Sequence, residues 1–311
     1  MSIPHRALGR TGLDIAVLSL GTVALGVRYG IDDSYGQPSR KEAVSILRAA
    51  ADAGINLFDT APNYGVAENV LGDALGDRPE AIFATKLTLP TNALSLDDGA
   101  LHALLQQSID QSRKALRRDV IDILQVHNLS VTHAASPAVA AGMEALRASG
   151  KVRFLGASVY TEDEALTALH SGWVDVLQVA YNLLDQRMAT QVFDAASSMN
   201  IGILSRSAYL KGALTPRARL LPAPLAPLRT AVEDLAGALR LPLESMPRAA
   251  LEFCLGENRI SSVLIGPSKL DELEQALHGI DYDRISVSHS IGLPYALNNP
   301  ALVDPRLWPL S

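Results

Sequence analysis

The chain has 311 residues, a hydrophobic content of 48% and a formal net charge of −6 at pH 7. That length buries one large core better than two small ones, so residues 1–311 are expected to form a single domain. The acidic balance, without a basic cluster, argues against nucleic acid and anionic membranes as partners. The opening MSIPHRALGR has no apolar signal core and no apolar run approaches a membrane span. The single cysteine, Cys254, excludes an intrachain disulfide, so a cytoplasmic protein is expected. Oligomeric state is left open.

In chain order, ALGRTGLDIAVLSLG places Gly-Arg-Thr-Gly between two short β-like runs and predicts a hairpin followed by a strand. Residues 39–54 show apolar spacing at Val44, Leu47, Ala50 and Ala51 and stop at Gly54, a left-handed terminator; a helix is predicted there. The strand INLFD, a helix over 67–75, the strand AIFAT and a long helix over 96–116 come next. VIDILQV, a helix over 137–149, VRFLGAS, a helix from Glu162, VDVLQVA, a helix over 187–199 and IGILS follow. The last barrel strand is SSVLI. Cys254 sits in AALEFCLG, a helix-like apolar face, and reads as a buried packing thiol.

Strands alternating with such helices predict a parallel sheet with right-handed crossovers, and eight units close an α/β TIM barrel, (β/α)8. No sequence-level repeat is visible. Three stretches break the rhythm: residues 27–39, rich in Gly, Tyr and Asp; residues 211–230, with Pro216, Pro222, Pro224 and Pro227; and the tail 281–311. Long irregular loops of this kind are expected at the C-terminal mouth.

Four segments end, or directly follow, a predicted strand with a polar residue: Asp59 and Tyr64 in FDTAPNYG, Lys86 in IFATK, and His127 in IDILQVH. A barrel presents catalytic groups at the C-terminal ends of its strands. A tyrosine, a lysine and an aspartate in one mouth suit general acid chemistry. The ammonium stabilises the phenolate and lowers the tyrosine pKa toward working pH, while the carboxylate keeps the lysine charged and aimed. The histidine hydrogen-bonds a substrate oxygen. Singly, each has an ordinary account. Tyr64 is a turn residue, Lys86 a solvated strand-end lysine, His127 a hydrogen-bonded core residue and Asp59 a helix cap. Four such coincidences in one mouth favour the catalytic account. No clustered His/Cys spacing points to a metal.

From RALGRTGLDIAVLSLGT to SVLIGPSKLDELEQAL the sequence resembles the aldo-keto reductase family, whose Asp, Tyr, Lys and His tetrad falls on Asp59, Tyr64, Lys86 and His127. The resemblance implies a hairpin that closes the barrel bottom and loops that frame the substrate pocket and fold over the cofactor. It also implies an NAD(P)-dependent oxidoreductase that transfers a hydride between a nicotinamide and the carbonyl carbon of an aldehyde, ketone or sugar-like substrate. In it Tyr64 donates or accepts the proton and His127 positions the carbonyl oxygen. Two other readings are weighed against this one: a Schiff-base aldolase acting through Lys86, and a non-catalytic, nicotinamide-binding regulatory subunit.

No G-x-G-x-x-G fingerprint follows a strand, so a Rossmann domain is not indicated. The resemblance instead lays the cofactor across the barrel mouth. Its contacts match Gly21, Thr22, Asp59, Ser158, Gln178, the run Arg206, Ser207, Ala208 and Leu210, then Gly266, Ser268, Lys269, Glu272 and Gln275. A helix start with Ser268 and Lys269 is also a phosphate site on physical grounds. Three positions depart from the family pattern. Val159 stands where asparagine is common, Arg206 where an aromatic often stacks on the nicotinamide, and Glu272 and Ala276 replace arginine or glutamine and asparagine. Glu272 is unfavourable beside a 2′-phosphate, and Lys269 offsets it, so NADP(H) is expected ahead of NAD(H). Tyr29, Tyr35, Leu89 and Trp308 are candidate pocket walls, Trp308 equally a residue packed on the barrel exterior.

Overall fold

The Gly-Arg-Thr-Gly segment folds as its turn residues require. Strands β1 (His5–Ala7) and β2 (Asp14–Ala16) pair antiparallel across a short helical turn at Gly9–Thr11. Gly9 has φ +50°, and a Cβ there would lie 2.3–2.7 Å from the backbone of Asn200, Ile201 and Gly202. Only glycine lets the hairpin press this closely on the barrel. The computed structural model describes residues 3–31, 36–278, 280 and 293–309.

The eight strands that follow are β3 (Leu18–Gly21), β4 (Leu57–Asp59), β5 (Ile82–Leu87), β6 (Ile121–His127), β7 (Val152–Ser158), β8 (Val176–Ala180), β9 (Gly202–Arg206) and β10 (Ser262–Ile265). All pair in parallel, and β10 returns to β3 to close the barrel. The expected (β/α)8 architecture is therefore present. Hairpin residues Leu8, Leu13 and Ile15 join Leu57, Ile82, Ile123, Val176, Leu204 and Leu264 in one apolar cluster inside the barrel. The hairpin thus plugs the bottom, and a second, larger apolar layer lies between barrel and helices.

Local signals set the helix ends. Ser39 caps Arg40–Asp52 in a capping box with Glu42, and Gly54 beyond it has φ +101°. Helices Ala67–Leu75, Asp98–Leu116, Pro137–Ala148 and Glu162–His170 follow the expected strands. The helix expected over 187–199 is two pieces, a turn at Arg187–Ala189 and a helix at Val192–Ser198. Arg187 folds back onto buried Asp185, its Nε 2.7 Å from Oδ1, which ties the first piece to the β8 loop. The stretch 211–230 is also less irregular than expected, because Ala226–Leu239 is helical with Pro227 in its first turn, where no N–H is needed. Cys254, on the helix Met246–Leu255, is fully buried and donates to the Tyr181 carbonyl at 3.3 Å.

Tyr35 and residues 281–292 lie outside the described residues. The described tail runs as short turns, Leu293–Tyr295, Pro300–Val303 and Pro305–Leu307. It docks on the β8 loop through Leu297 N to Leu184 O at 2.9 Å and Gln186 N to Asn298 Oδ1 at 3.0 Å. Among the described residues no helix is long and apolar enough to cross a membrane.

Candidate active site

Side chains on a strand alternate, so one residue in two faces the barrel axis. Counting upward from the apolar plug, the inward positions turn polar at the mouth: Leu57 then Asp59, Ile82 and Ala84 then Lys86, Ile123 then Gln125 and His127. Lys86 is fully buried and Asp59 nearly so. Lys86 Nζ donates to Asp59 Oδ1 at 2.6 Å and to the Thr60 carbonyl at 2.9 Å. The second carboxylate oxygen of Asp59 accepts from Gln125 Nε2 at 3.0 Å and Gln178 Nε2 at 2.8 Å. The pair is therefore buried, hydrogen-bonded on both sides and fixed in place, which a buried ion pair requires.

The turn after β4 brings Tyr64 back over this pair, with Lys86 Nζ 5.0 Å from its ring centroid. The Tyr64 and His127 rings meet edge to face, centroids 5.9 Å apart. Asp59, Tyr64, Lys86 and His127 are thus one constellation, as the sequence spacing implied.

One electrostatic expectation is corrected. Burial pushes the Tyr64 phenol above its ordinary pKa, outweighing the pull of Lys86, and Asp59 adds to the rise. The phenol is the protonated form at neutral pH, a donor ready to give its proton. For Lys86, burial alone would lower the pKa, but Asp59 and Tyr64 together hold the ammonium above its ordinary value. Burial, then the Lys86 charge, push His127 down to about 4, so the ring is neutral at pH 7.

Around the tetrad several buried polar atoms have no partner among the described residues: Thr22 Oγ1, Thr60 Oγ1, Gln125 Oε1, His127 Nδ1 and Arg206 Nε. Gly21 and Gly266 end neighbouring strands or follow them, and a Cβ added to either would make only ordinary contacts, at 3.7 and 3.8 Å. Protein packing does not demand glycine at either place; their bareness widens the mouth. Ser158 tops β7, and Ser207 and Leu210 adopt left-handed backbone, φ +63° and +45°. Ala208 and Leu210 bury their side chains in the core, so they offer a ligand only backbone. Gln178 spends its amide N–H on Asp59.

The three departures from the family pattern have partners of their own. Arg206 Nη2 donates to the Val159 carbonyl at 2.7 Å, so two of the departures touch. Its guanidinium also lies over Tyr160, 4.0 Å from the ring centroid, and Arg306 from the tail lies over the same ring. At the helix Leu270–His278, Glu272 Oε2 accepts from Ser268 N at 2.8 Å and Ser268 Oγ at 3.0 Å, and Oε1 accepts from Arg217 at 2.9 Å. Lys269 and Gln275 are exposed, and Ala276 is buried. Of the candidate walls, Leu89 and Trp308 are buried and Tyr29 is 43% exposed. Trp308 Nε1 donates to the Leu302 carbonyl at 3.1 Å, a tail-packing role.

Sequence reasoning missed Gln125, Thr60, Tyr160 and Glu68. Gln125 is two residues before His127 and so shares its inward face, a signal readable from period-2 alternation. Glu68 is buried behind β5 and accepts from Thr85 Oγ1 at 2.6 Å. Its signal was weaker, because a glutamate in a helix first turn is common for dipole reasons. No cluster of His, Cys, Asp or Glu among the described residues has metal-site geometry.

Known proteins share this barrel and this sequence pattern, and they place the chain among NAD(P)-dependent oxidoreductases. The sequence pattern of the Aldo/keto reductase family matches residues 17–286, and the chain belongs to that family. It is 30% identical to pyridoxal 4-dehydrogenase of Microbacterium luteolum, over 87% of this chain and 91% of that one. It is 29% identical to L-galactose dehydrogenase of Arabidopsis thaliana, over 88% and 86% of the two chains. The fold is also that of the holo form of aldo-keto reductase AKR11C1 from Bacillus halodurans, TM-score 0.76 at 20% identity, covering 98% of this chain and 99% of that one.

Proposed function

We propose that this NAD(P)-dependent oxidoreductase interconverts the carbonyl of an aldehyde, ketone or sugar-like compound with the alcohol, using Tyr64 as proton donor and acceptor. The observation that carries the reading is the buried Lys86–Asp59 pair, 2.6 Å long, directly beneath Tyr64 and beside neutral His127.

The donor set at the mouth fits a nicotinamide dinucleotide. Orphaned Thr22 Oγ1, the Ser158 hydroxyl, the bare backbone at Gly21 and Gly266, and the Ser268–Lys269 helix start would hold it. When bound, the cofactor supplies the hydride in reduction and takes it up in oxidation.

The chain's own residues do the rest. His127, neutral, directs a ring N–H at the carbonyl oxygen. Tyr64, protonated, gives its proton to that oxygen as negative charge grows there, and Lys86 steadies the phenolate left behind. In reduction the carbonyl gains one hydride and one proton; in oxidation both leave the alcohol. Asp59 keeps Lys86 charged and aimed, and Gln125 and Gln178 keep Asp59 from turning.

A Schiff-base lysine must be neutral to attack a carbonyl. Lys86 is held above its ordinary pKa and bonded to Asp59, which weighs against that chemistry. The intact tetrad likewise weighs against a purely regulatory subunit. For the cofactor's 2′ position the resemblance favours NADP(H). The Glu272 carboxylate, seated on Ser268, weighs toward NAD(H), because a 2′-phosphate there has to displace it. The test is a panel of aldehydes, ketones and sugars with both cofactors, followed at the nicotinamide absorbance band. Turnover by wild type and its loss in Tyr64→Phe are expected; no turnover of any carbonyl with either cofactor overturns the reading.

A further inference from the structure

The mouth of the barrel carries a guanidinium with no carboxylate of its own. Arg206 ends β9 opposite Ala180, and the β7 strand whose last residue, Ser158, pairs with His127 leads directly into Val159 and Tyr160. Arg206 is held by one hydrogen bond, Nη2 to the Val159 carbonyl at 2.7 Å, and by stacking 4.0 Å above Tyr160. A guanidinium has five N–H donors. Its Nε is buried with no acceptor among the described residues.

Burial alone would raise the Asp304 carboxyl; the charges of both Arg306 and Arg206 help hold it below the usual range, but its side-chain hydrogen bonds go to Arg306. Arg306 grips it through Nε at 3.1 and 3.2 Å and Nη2 at 2.6 Å, while its own guanidinium lies over Tyr160. Lys86 is likewise matched by Asp59. Of Lys86, Asp59, Arg206, Arg306 and Asp304, which together carry one net positive charge, Arg206 is the cation with no hydrogen-bonded carboxylate among the described residues. The His127 ring feels that charge, so Arg206 stands beside the group that would orient the carbonyl.

A planar, partly desolvated guanidinium with a spare N–H is shaped for an anionic oxygen group. We propose that Arg206, held flat on Tyr160, is the specificity-determining residue for a carbonyl substrate that bears a carboxylate or phosphate a few bonds from the reacting carbon. This inference rests on the reductase reading above for the word substrate, but the anion site stands on geometry alone. The stacking explains why arginine is here rather than lysine: Tyr160 fixes the plane of the fork before the ligand arrives, and Arg306 buttresses the same ring.

The test compares succinic semialdehyde with butyraldehyde in wild type, Arg206→Gln and Arg206→Lys, with cofactor dissociation measured in parallel. Calorimetry with succinate and with uncharged succinamide reads the anion site without turnover. Wild type is expected to favour the acid aldehyde by about tenfold or more in kcat/KM, mainly through KM, and to bind succinate over succinamide. Arg206→Gln should lower kcat/KM for the acid aldehyde at least about tenfold more than for butyraldehyde, with Arg206→Lys between. Equal losses for both aldehydes overturn the proposal, as does a wild type indifferent to the carboxylate. Weakened cofactor binding with discrimination intact also overturns it, assigning the guanidinium to the cofactor's diphosphate. If no carbonyl of the wider panel is reduced with either cofactor, the reductase reading fails, and succinate binding, lost or kept in Arg206→Gln, still decides the anion site.

Discussion

The lower and upper halves of the barrel interior are built by the same strands and do opposite work. At the bottom, Leu57, Ile82, Ile123, Val176 and Leu204 interlock with Leu8, Leu13 and Ile15 of the hairpin. One inward step later on the same strands, about 7 Å higher, stand Asp59, Gln125, Gln178 and Arg206, with Lys86 two steps above Ile82. The lower layer contributes stability by removing apolar area from water. The upper layer contributes little or costs some, since burying an ion pair returns at best its desolvation penalty. The dry plug gives the upper layer its character. Buried and with apolar side chains packed below, the Lys86–Asp59 pair acts in a low-dielectric setting where its field on Tyr64 is strong.

If that division holds, changes in the upper layer that leave no buried charge unpaired should destroy rate while sparing the fold, and changes in the lower layer the reverse. The largest effect is expected at Tyr64. Tyr64→Phe removes the proton donor and keeps the ring that faces His127. The loss should fall on kcat, by a factor of about 10² to 10⁴, with cofactor affinity kept. Lys86→Met should cost a comparable rate and also stability, by about 3–5 kcal/mol, because it leaves the Asp59 carboxylate buried without its cation. Near-full reductase activity in Tyr64→Phe, measured by steady-state kinetics, would remove the phenol from the mechanism.

Leu8→Ala tests the other half. Leu8 is fully buried against Gly202, a position where any side chain would collide with it. Deleting its branched end should lower unfolding free energy by about 2–5 kcal/mol, seen as an earlier denaturation midpoint. The kcat per folded molecule should stay at the wild-type level. A large kcat loss in Leu8→Ala without loss of stability would dissolve the distinction between the layers.

The contrast also explains what the sequence disclosed. Short apolar runs ending in Asp59, Lys86 and His127 were legible because the barrel requires inward apolar residues low on the strand and function requires polar ones high. Chain order then delivered all eight strands and the nearness of Asp59, Tyr64, Lys86 and His127 at one mouth. What stayed hidden depends on contacts between distant segments. That Arg206 stacks on Tyr160 and caps Val159, or that Arg306 arrives from the tail, follows from no local pattern. The sign of the Tyr64 shift was hidden for the same reason: neighbours are guessable from motifs, but the degree of burial is a property of the closed mouth. The helix Ala226–Leu239 was masked by prolines, which read as breakers although Pro227 sits where a helix start accepts it.

A moderate effect is expected from acid. His127 is held at about 4 in the folded protein against an ordinary 6.5. A histidine depressed on folding is neutral in the native state while the unfolded chain binds the proton, so stability rises with pH through this window. Between pH 7 and pH 4 the buried ring should therefore cost about 3 kcal/mol of stability. His127→Gln should flatten that part of the stability–pH curve, recorded by chemical denaturation at stepped pH. The variant should also lose substrate orientation, with residual turnover because Tyr64 still supplies the proton. An unchanged slope between pH 6 and 4 would show that another group carries the acid sensitivity.

The smallest effect concerns the rim of the upper layer, where charge is half in water. Glu272 occupies the N–H and hydroxyl of Ser268 and draws in Arg217, so the helix start that suits a phosphate is already answered by the protein's own carboxylate. Glu272→Gln keeps a hydrogen-bond acceptor for Ser268 and removes the negative charge. NADP(H) should gain on NADH by about 1 kcal/mol, roughly fivefold in the ratio of dissociation constants, since the site is solvent-screened. Lys269→Ala should move the ratio the opposite way by a similar factor. Fluorescence titration of both cofactors against the three proteins reads this directly, and high salt should shrink it. If both substitutions scale the two cofactors equally, neither residue meets the 2′ position, and the helix start serves the barrel rather than the ligand.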